Sequence, residues 1–241
     1  MAPTAPAPAA LLARLVAADP GRPRITVYDD TDGPTRGERI ELSARVLANW
    51  VAKAGNLLQD ELDAGPGTVV RLALPPHWRT LYWAFAAWSV GACVEVAGTV
   101  DDGSGADVVV TDDPARGAGA EHLVVVTLAA LARQSGVEVP TGAVDEAREL
   151  ATHGDVLLPL DEPDPDDVAL RSGGVERTFG EVVPVDATGG RVHTATADTA
   201  ELLRLALTTW AGDGSLVLSR GTPDPEVLRT RLASEGVTAT A

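Results

Sequence analysis

Four short apolar runs constrain this chain more than anything else in it: TVVRLAL (68–74), ACVEVAG (92–98), ADVVVTD (106–112) and HLVVVTL (122–128). Each is too short for an ordinary helix and is rich in β-branched residues, so each reads as a strand. The last two carry uninterrupted Val triplets. A strand that is apolar on successive residues belongs to a sheet covered on both faces, as parallel sheets are. Between the first two runs, PPHW (75–78) turns the chain into the apolar helix TLYWAFAAWSV (80–90), which ends at Gly91. Strand, helix, strand in that order suits a right-handed parallel crossover.

The flanking segments extend the same architecture. LLARLVAADP (11–20) reads as a short amphipathic helix stopped by Pro20, and RITVYDD (24–30) with ERIEL (38–42) reads as a β-hairpin around TDGPTRG. Ser43 is placed to cap a helix over 44–62 whose apolar face carries Val46, Leu47, Trp50, Val51, Ala54, Leu57 and Leu58. LAALARQ (128–134) has the composition of a helix. DEPDPDD (161–167) is an acidic, proline-broken linker. Beyond it lie a helix over 198–212, whose Asp198 and Glu201 have capping-box spacing, the strand SLVLSR, and a helix opened by Asp224-Pro225 and closed by Gly236. VTATA then opens another strand. The expected fold is α/β, with mostly parallel sheets flanked by helices. The expected division is a flexible lead and short helix over 1–21, an α/β subdomain over 22–160 and a smaller one over 161–241, or a single continuous domain.

Charge and composition exclude several functions. Asp and Glu number 35 against 19 Lys and Arg, a formal net charge of −16, which repels nucleic-acid phosphates and disfavours anionic membranes. No apolar run approaches the ~18 residues of a membrane span, and MAPTAPAPAA lacks the layout of a secretion signal, so a cytoplasmic protein is expected. Cys93 is the single cysteine and Lys53 the single lysine, so there is no intrachain disulfide and one candidate for lysine chemistry. His122, His153 and His193 have no metal-ligand spacing, and no nucleophile motif appears. No catalytic or metal-binding residue is therefore assigned.

Two places could hold a ligand. In DVALRSGGVERTF a strand-like run breaks at Ser172-Gly173-Gly174, which is either a phosphate cradle or a hairpin turn between VALRS and VERTF. His77 and Trp78 sit after a strand and before a helix, where open α/β sheets bind ligands. The alternative there is a solvated His77 beside a Trp78 packed on the sheet edge.

The order of elements is similar to a known family. RITVYDD through GERIELSARVLANWVAKAGNLLQDELDAGPGTVVRLALPPHWRTLYWAFAAWSVGACVEVA resembles the N-terminal part of the adenylate-forming (AMP-binding) enzymes, which include acyl-CoA synthetases and luciferases. The points of likeness are Asn49, Gly65-Pro66-Gly67, Leu74-Pro75 and Gly91-Ala92. WAGDGSLVLSRGTPDPEVLRTRLASEGVTATA resembles the segment after that family's phosphate loop, and DPDDVALRSGG stands at the loop itself. The family loop is rich in Ser, Thr and Gly and ends in Pro-Lys-Gly. Here Ser172, Gly173 and Gly174 are followed by Val175, Glu176 and Arg177, with no lysine. Two like charges about 4 Å apart repel by roughly 4 kcal/mol at an effective dielectric of 20, so Glu176 opposes a bound phosphate. The family's adenine, magnesium and ribose motifs and its catalytic lysine have no counterpart in these residues. The resemblance therefore implies a truncated, degenerate relative without independent catalysis or cofactor, acting as a binding or interaction protein. Its expected contacts are a homodimer or another protein chain, through the surface of residues 201–241. The alternative is a reduced or split ligase that still binds ATP with magnesium, or an acyl-CoA, and works with a partner chain.

Overall fold

The computed structural model describes residues 7–96, 98 and 105–241. The first six residues of the Pro/Ala lead and Ala97 of ACVEVAG lie outside them. In chain order the elements are α1 (Pro8–Ala18), β1 (Pro23–Asp30), β2 (Arg39–Ser43), α2 (Ala44–Glu61), β3 (Val69–Ala73), α3 (Trp78–Ser89), β4 (Cys93–Val96), β5 (Val108–Thr111), β6 (His122–Val125), β7 (Val144–Asp145) and α4 (Glu146–Glu149). They continue with β8 (Val168–Ser172), β9 (Val175–Thr178), β10 (Arg191–Thr194), α5 (Thr199–Ala211), β11 (Ser215–Gly221), α6 (Pro225–Ser234) and β12 (Ala239–Thr240). None of the described helices is long and apolar enough to cross a membrane.

The described strands form two sheets. One has the order β7-β6-β5-β3-β4-β8-β9, parallel throughout except for β8 with β9. The other has the order β12-β10-β11-β1-β2, with only β1 and β2 antiparallel. Strands from both sides of residues 161–167 share each sheet, and one apolar core runs from Leu11 to Leu218 across that segment. In the larger sheet β4 lies on one side of β3 and β5 on the other, so the winding reverses between β3 and β5. Crevices at the carboxyl ends of strands beside such a reversal are the usual ligand sites of open α/β sheets.

Helix α3 is the structural centre. Every residue from Trp78 to Trp88 is buried, as expected of a helix that is apolar all round. Trp88 Nε1 donates to Ala169 O at 2.7 Å and joins α3 to β8; Trp210 Nε1 donates to Arg24 O at 3.0 Å and joins α5 to β1. The helix starts follow the caps read from sequence. Ser43 Oγ accepts from Val46 N, and Asp224 opens α6 by accepting from Glu226 N at 2.8 Å. The capping box at α5 is half made. Asp198 accepts from Ala200 N and Glu201 N, while Glu201 turns to Arg204 and the Asp198 N–H goes to Thr196 Oγ1.

Two local expectations fail. Residues 128–134 form turns, not a helix, because tertiary partners take their backbone groups. Arg79 Nη2 donates to Ala129 O at 3.0 Å, and Ala130 N reaches the Glu38 carboxylate at 3.4 Å. Val46 is 42% exposed, because the buried arc of α2 runs through Ala44, Leu47, Val51, Ala54 and Leu58 and leaves it to one side.

Candidate functional site

Ser172, Gly173 and Gly174 form the tip of the β8–β9 hairpin. Ser172 pairs with Val175, leaving a two-residue loop in which Gly173 and Gly174 have φ of +56° and +77°. Left-handed backbone at both loop positions matches the twist of the flanking strands and favours glycine. A cleft of about 560 Å³ opens beside the tip, lined by Glu95, Val96 and residues 171–176.

The described arginines beside this cleft are ion-paired. Arg171 Nε pairs with Glu176 Oε1 at 2.9 Å, and Arg71 Nε pairs with Glu95 Oε1 at 2.6 Å. Each cation near the cleft thus meets a carboxylate, and Arg177 does not line it. Lys53 lies elsewhere: it donates to His153 O at 2.5 Å and pairs with Asp155 at 2.9 Å, tying α2 to the segment that follows α4. Burial pushes the Cys93 thiol up to about 11, with Arg171 opposing, so it stays protonated and unreactive at neutral pH. Among the described residues no group of three His, Cys, Asp or Glu side chains is placed to hold a metal ion.

His77 and Trp78 are elsewhere, and both are buried to within 2% of full exclusion from solvent. His77 is the N-cap of α3, its Nδ1 accepting from Arg79 N at 3.3 Å. Burial first, then the Arg220 and Arg79 guanidinium groups, hold its pKa well below the usual imidazole range, so the ring is neutral. Trp78 packs against Trp50 and Tyr82 with ring centroids 6.0 and 5.6 Å away, and the Arg79 guanidinium lies 4.4 Å over its ring. His77 is therefore not solvated, and Trp78 is a core residue under a cation. Strand β4 separates β3, which leads to these residues, from β8, and neither residue lines the hairpin cleft.

Sequence reasoning missed the charged cluster beneath them. Arg79 Nη1 donates to Glu146 Oε1 at 2.6 Å, the Tyr82 hydroxyl donates to the same oxygen, and both charged side chains are almost wholly buried. The available signal was an arginine inside an otherwise apolar helix, since a buried charge requires a partner.

No protein-family model matches the chain. It is 37% identical over 254 residues to a Mycobacterium tuberculosis protein described as a TIGR03089 family protein, covering 95% of each. Among solved structures, acetoacetyl-CoA synthetase from Streptomyces lividans superposes with a TM-score of 0.74 at 16% identity, over 97% of this chain and 42% of that one. Brucella canis acyl-CoA synthetase gives 0.72 at 18% identity, over 97% of this chain and 46% of that one. The chain thus spans just under half the length of these two enzymes.

Proposed function

We propose that this chain, which belongs to the TIGR03089 family and has the fold of the N-terminal part of acyl-CoA synthetases, is a non-catalytic binding or interaction protein. One observation carries the reading. At the place where that fold would hold phosphate, the turn is a tight two-glycine hairpin whose neighbouring arginines are already paired with Glu95 and Glu176. A triphosphate there would have to displace those carboxylates and would gain no lysine. The single buried cysteine is in keeping with a reducing, cytoplasmic setting. For the interaction role, the surface over 201–241 offers α6, none of whose residues is buried, and the exposed edge strand β12. Its partner is a second copy or another chain. Light scattering that gives a monomer mass at high concentration, with no protein retained on the immobilised chain, would remove that part of the proposal.

The 560 Å³ cleft beside Ser172 supports a second reading, a reduced ligase that binds ATP or an acyl-CoA and acts with another chain. Isotope exchange between pyrophosphate and ATP separates the two. With a panel of carboxylic acids, the first reading expects no exchange above a protein-free blank. Exchange that depends on one acid and is lost in the Gly173→Val variant would establish the second.

A further inference from the structure

A second cavity, of about 520 Å³, lies where strand ends from the two sheets meet. Its lining includes Thr31 and Asp32 just after β1, Asp112 just after β5, residues 126–129 just after β6, and Arg220 near the end of β11. All four strands contribute their carboxyl ends, and β5 is one of the two strands between which the winding reverses. The volume falls within the ~300–1,000 Å³ usual for small-molecule sites.

Specific bonds fix the segment that lines the cavity. Where the sequence predicts a helix over 128–134, Arg79 donates to the Ala129 carbonyl and Ala130 N reaches the Glu38 carboxylate, and just beyond, Asp145 Oδ2 accepts from Ser135 N at 2.9 Å. A local preference overridden by buried polar contacts is the kind of conflict found at binding sites.

Its lining is mixed. Pro34, Val126, Leu128, Ala132 and Val137 supply apolar surface. Asp112, also in the lining, has no hydrogen bond or ion pair from any described side chain. The nearby cations are spent. Arg220 pairs with Asp29, which also accepts from Thr31 N at 2.9 Å; Arg116 donates to Ala73 O at 3.0 Å and Gly98 O at 3.4 Å; Arg36 pairs with Asp32 at 2.9 Å. A half-buried carboxylate in a partly apolar cavity, with its own backbone N–H but no side chain as donor, selects a ligand that brings a further donor. An anionic ligand would meet Asp112 and Asp32 without an unpaired cation to receive it. Burial also raises the Asp112 pKa, with its own backbone N–H, Arg116 and Arg220 opposing, as befits a carboxyl lacking a strong donor.

We propose that this cavity binds a small amine, with its ammonium group on Asp112 and an apolar body against Val126, Leu128, Ala132 and Val137. The site is separate from the hairpin cleft and does not depend on whether phosphate binds there.

The test compares two probes of similar shape and opposite charge, 2-phenylethylamine and 3-phenylpropanoate, by amide chemical-shift titration of the full chain at neutral pH. The expected result is saturable binding of the amine, with the largest shifts at Thr127, Ala132 and Val137, and no binding of the carboxylate. Asp112→Asn, which keeps side-chain shape and removes the charge, should weaken the amine at least tenfold. Ala132→Trp, which fills the cavity, should abolish binding. Equal binding of the carboxylate, undiminished amine binding by Asp112→Asn, or no binding of either probe at millimolar concentration would overturn the proposal.

Discussion

Replacing Glu146 with leucine should be among the most destabilising single changes in the molecule. The Glu146 side chain is 1% exposed and the Arg79 side chain 4% exposed, so the charges face each other out of water. Removing the carboxylate leaves the guanidinium with Ala129 O and the Tyr82 hydroxyl as its hydrogen-bond partners within the core. Stripping one partner from a buried ion pair costs about 3–5 kcal/mol. The reverse change, Arg79→Met, should cost less, because Glu146 can take up a proton. Burial already raises its pKa, against the pull of Arg79 and then Tyr82. A raised folded-state pKa means that stability is retained at low pH and declines as pH climbs through it, so Arg79→Met should be more stable at pH 5 than at pH 7. The double variant Arg79→Met, Glu146→Leu removes both charges together and should return to within about 1 kcal/mol of the parent, or exceed it. Urea denaturation followed by tryptophan fluorescence is the assay, with Trp78 directly beneath Arg79 as reporter. A cost below about 1 kcal/mol for Glu146→Leu, or a double variant no more stable than the worse single one, would refute the coupling.

Two further outcomes follow from the turn and from α6. A Cβ added at Gly173 or Gly174 meets nothing within 4 Å, so substitution there costs backbone strain alone. Gly174→Val should lose about 1–2 kcal/mol, whereas Gly173→Asn, which tolerates positive φ, should stay within about 0.5 kcal/mol on thermal melting. At α6, burial alone would raise the Glu235 carboxyl, but the Tyr28 hydroxyl, Arg191 and Arg39 outweigh it and hold its pKa at about 2. That stabilisation is present above the ordinary carboxylate range and is lost as pH falls from about 4.5 toward 2. Hydrogen exchange over residues 225–240 should therefore accelerate in that window. The Glu235→Gln variant should exchange fast at every pH, and a variant with the parent's pH profile would contradict the assignment.

What could be read from the residues was local. The Val runs became buried strands, because continuous β-branched stretches have few other stable placements. Ser43, Asp198 and Asp224 cap helices as their side chains dictate, and Gly173-Gly174 makes the turn that its backbone freedom permits. What was not legible depends on partners far away in sequence. Whether VALRS opens a second unit or continues the first is open in the sequence, and the pairing of β8 in parallel with β4, and of β10 to β12 in the sheet of β1, is written nowhere in those residues. His77 carries no mark of burial in PPHW; the Arg220 whose charge helps lower its pKa, after burial itself, comes from β11, at the other end of the chain. Glu146 is 67 residues from the Arg79 it neutralises. The helix expected over 128–134 fails for the same reason, since Arg79 and Glu38 claim backbone groups that a helix would have paired internally. Asp112 reads as an ordinary strand-end aspartate until the fold sets the ends of two sheets around it.

The central proposal is that this chain, which has the fold of the N-terminal part of acyl-CoA synthetases, offers among its described residues no unpaired cation to a nucleotide triphosphate at the β8–β9 turn. Calorimetric titration of the full chain with magnesium-ATP tests it most directly. The account predicts no saturable heat up to millimolar nucleotide, for the parent and for Ser172→Ala alike. Micromolar binding by the parent, lost in Ser172→Ala, would contradict it.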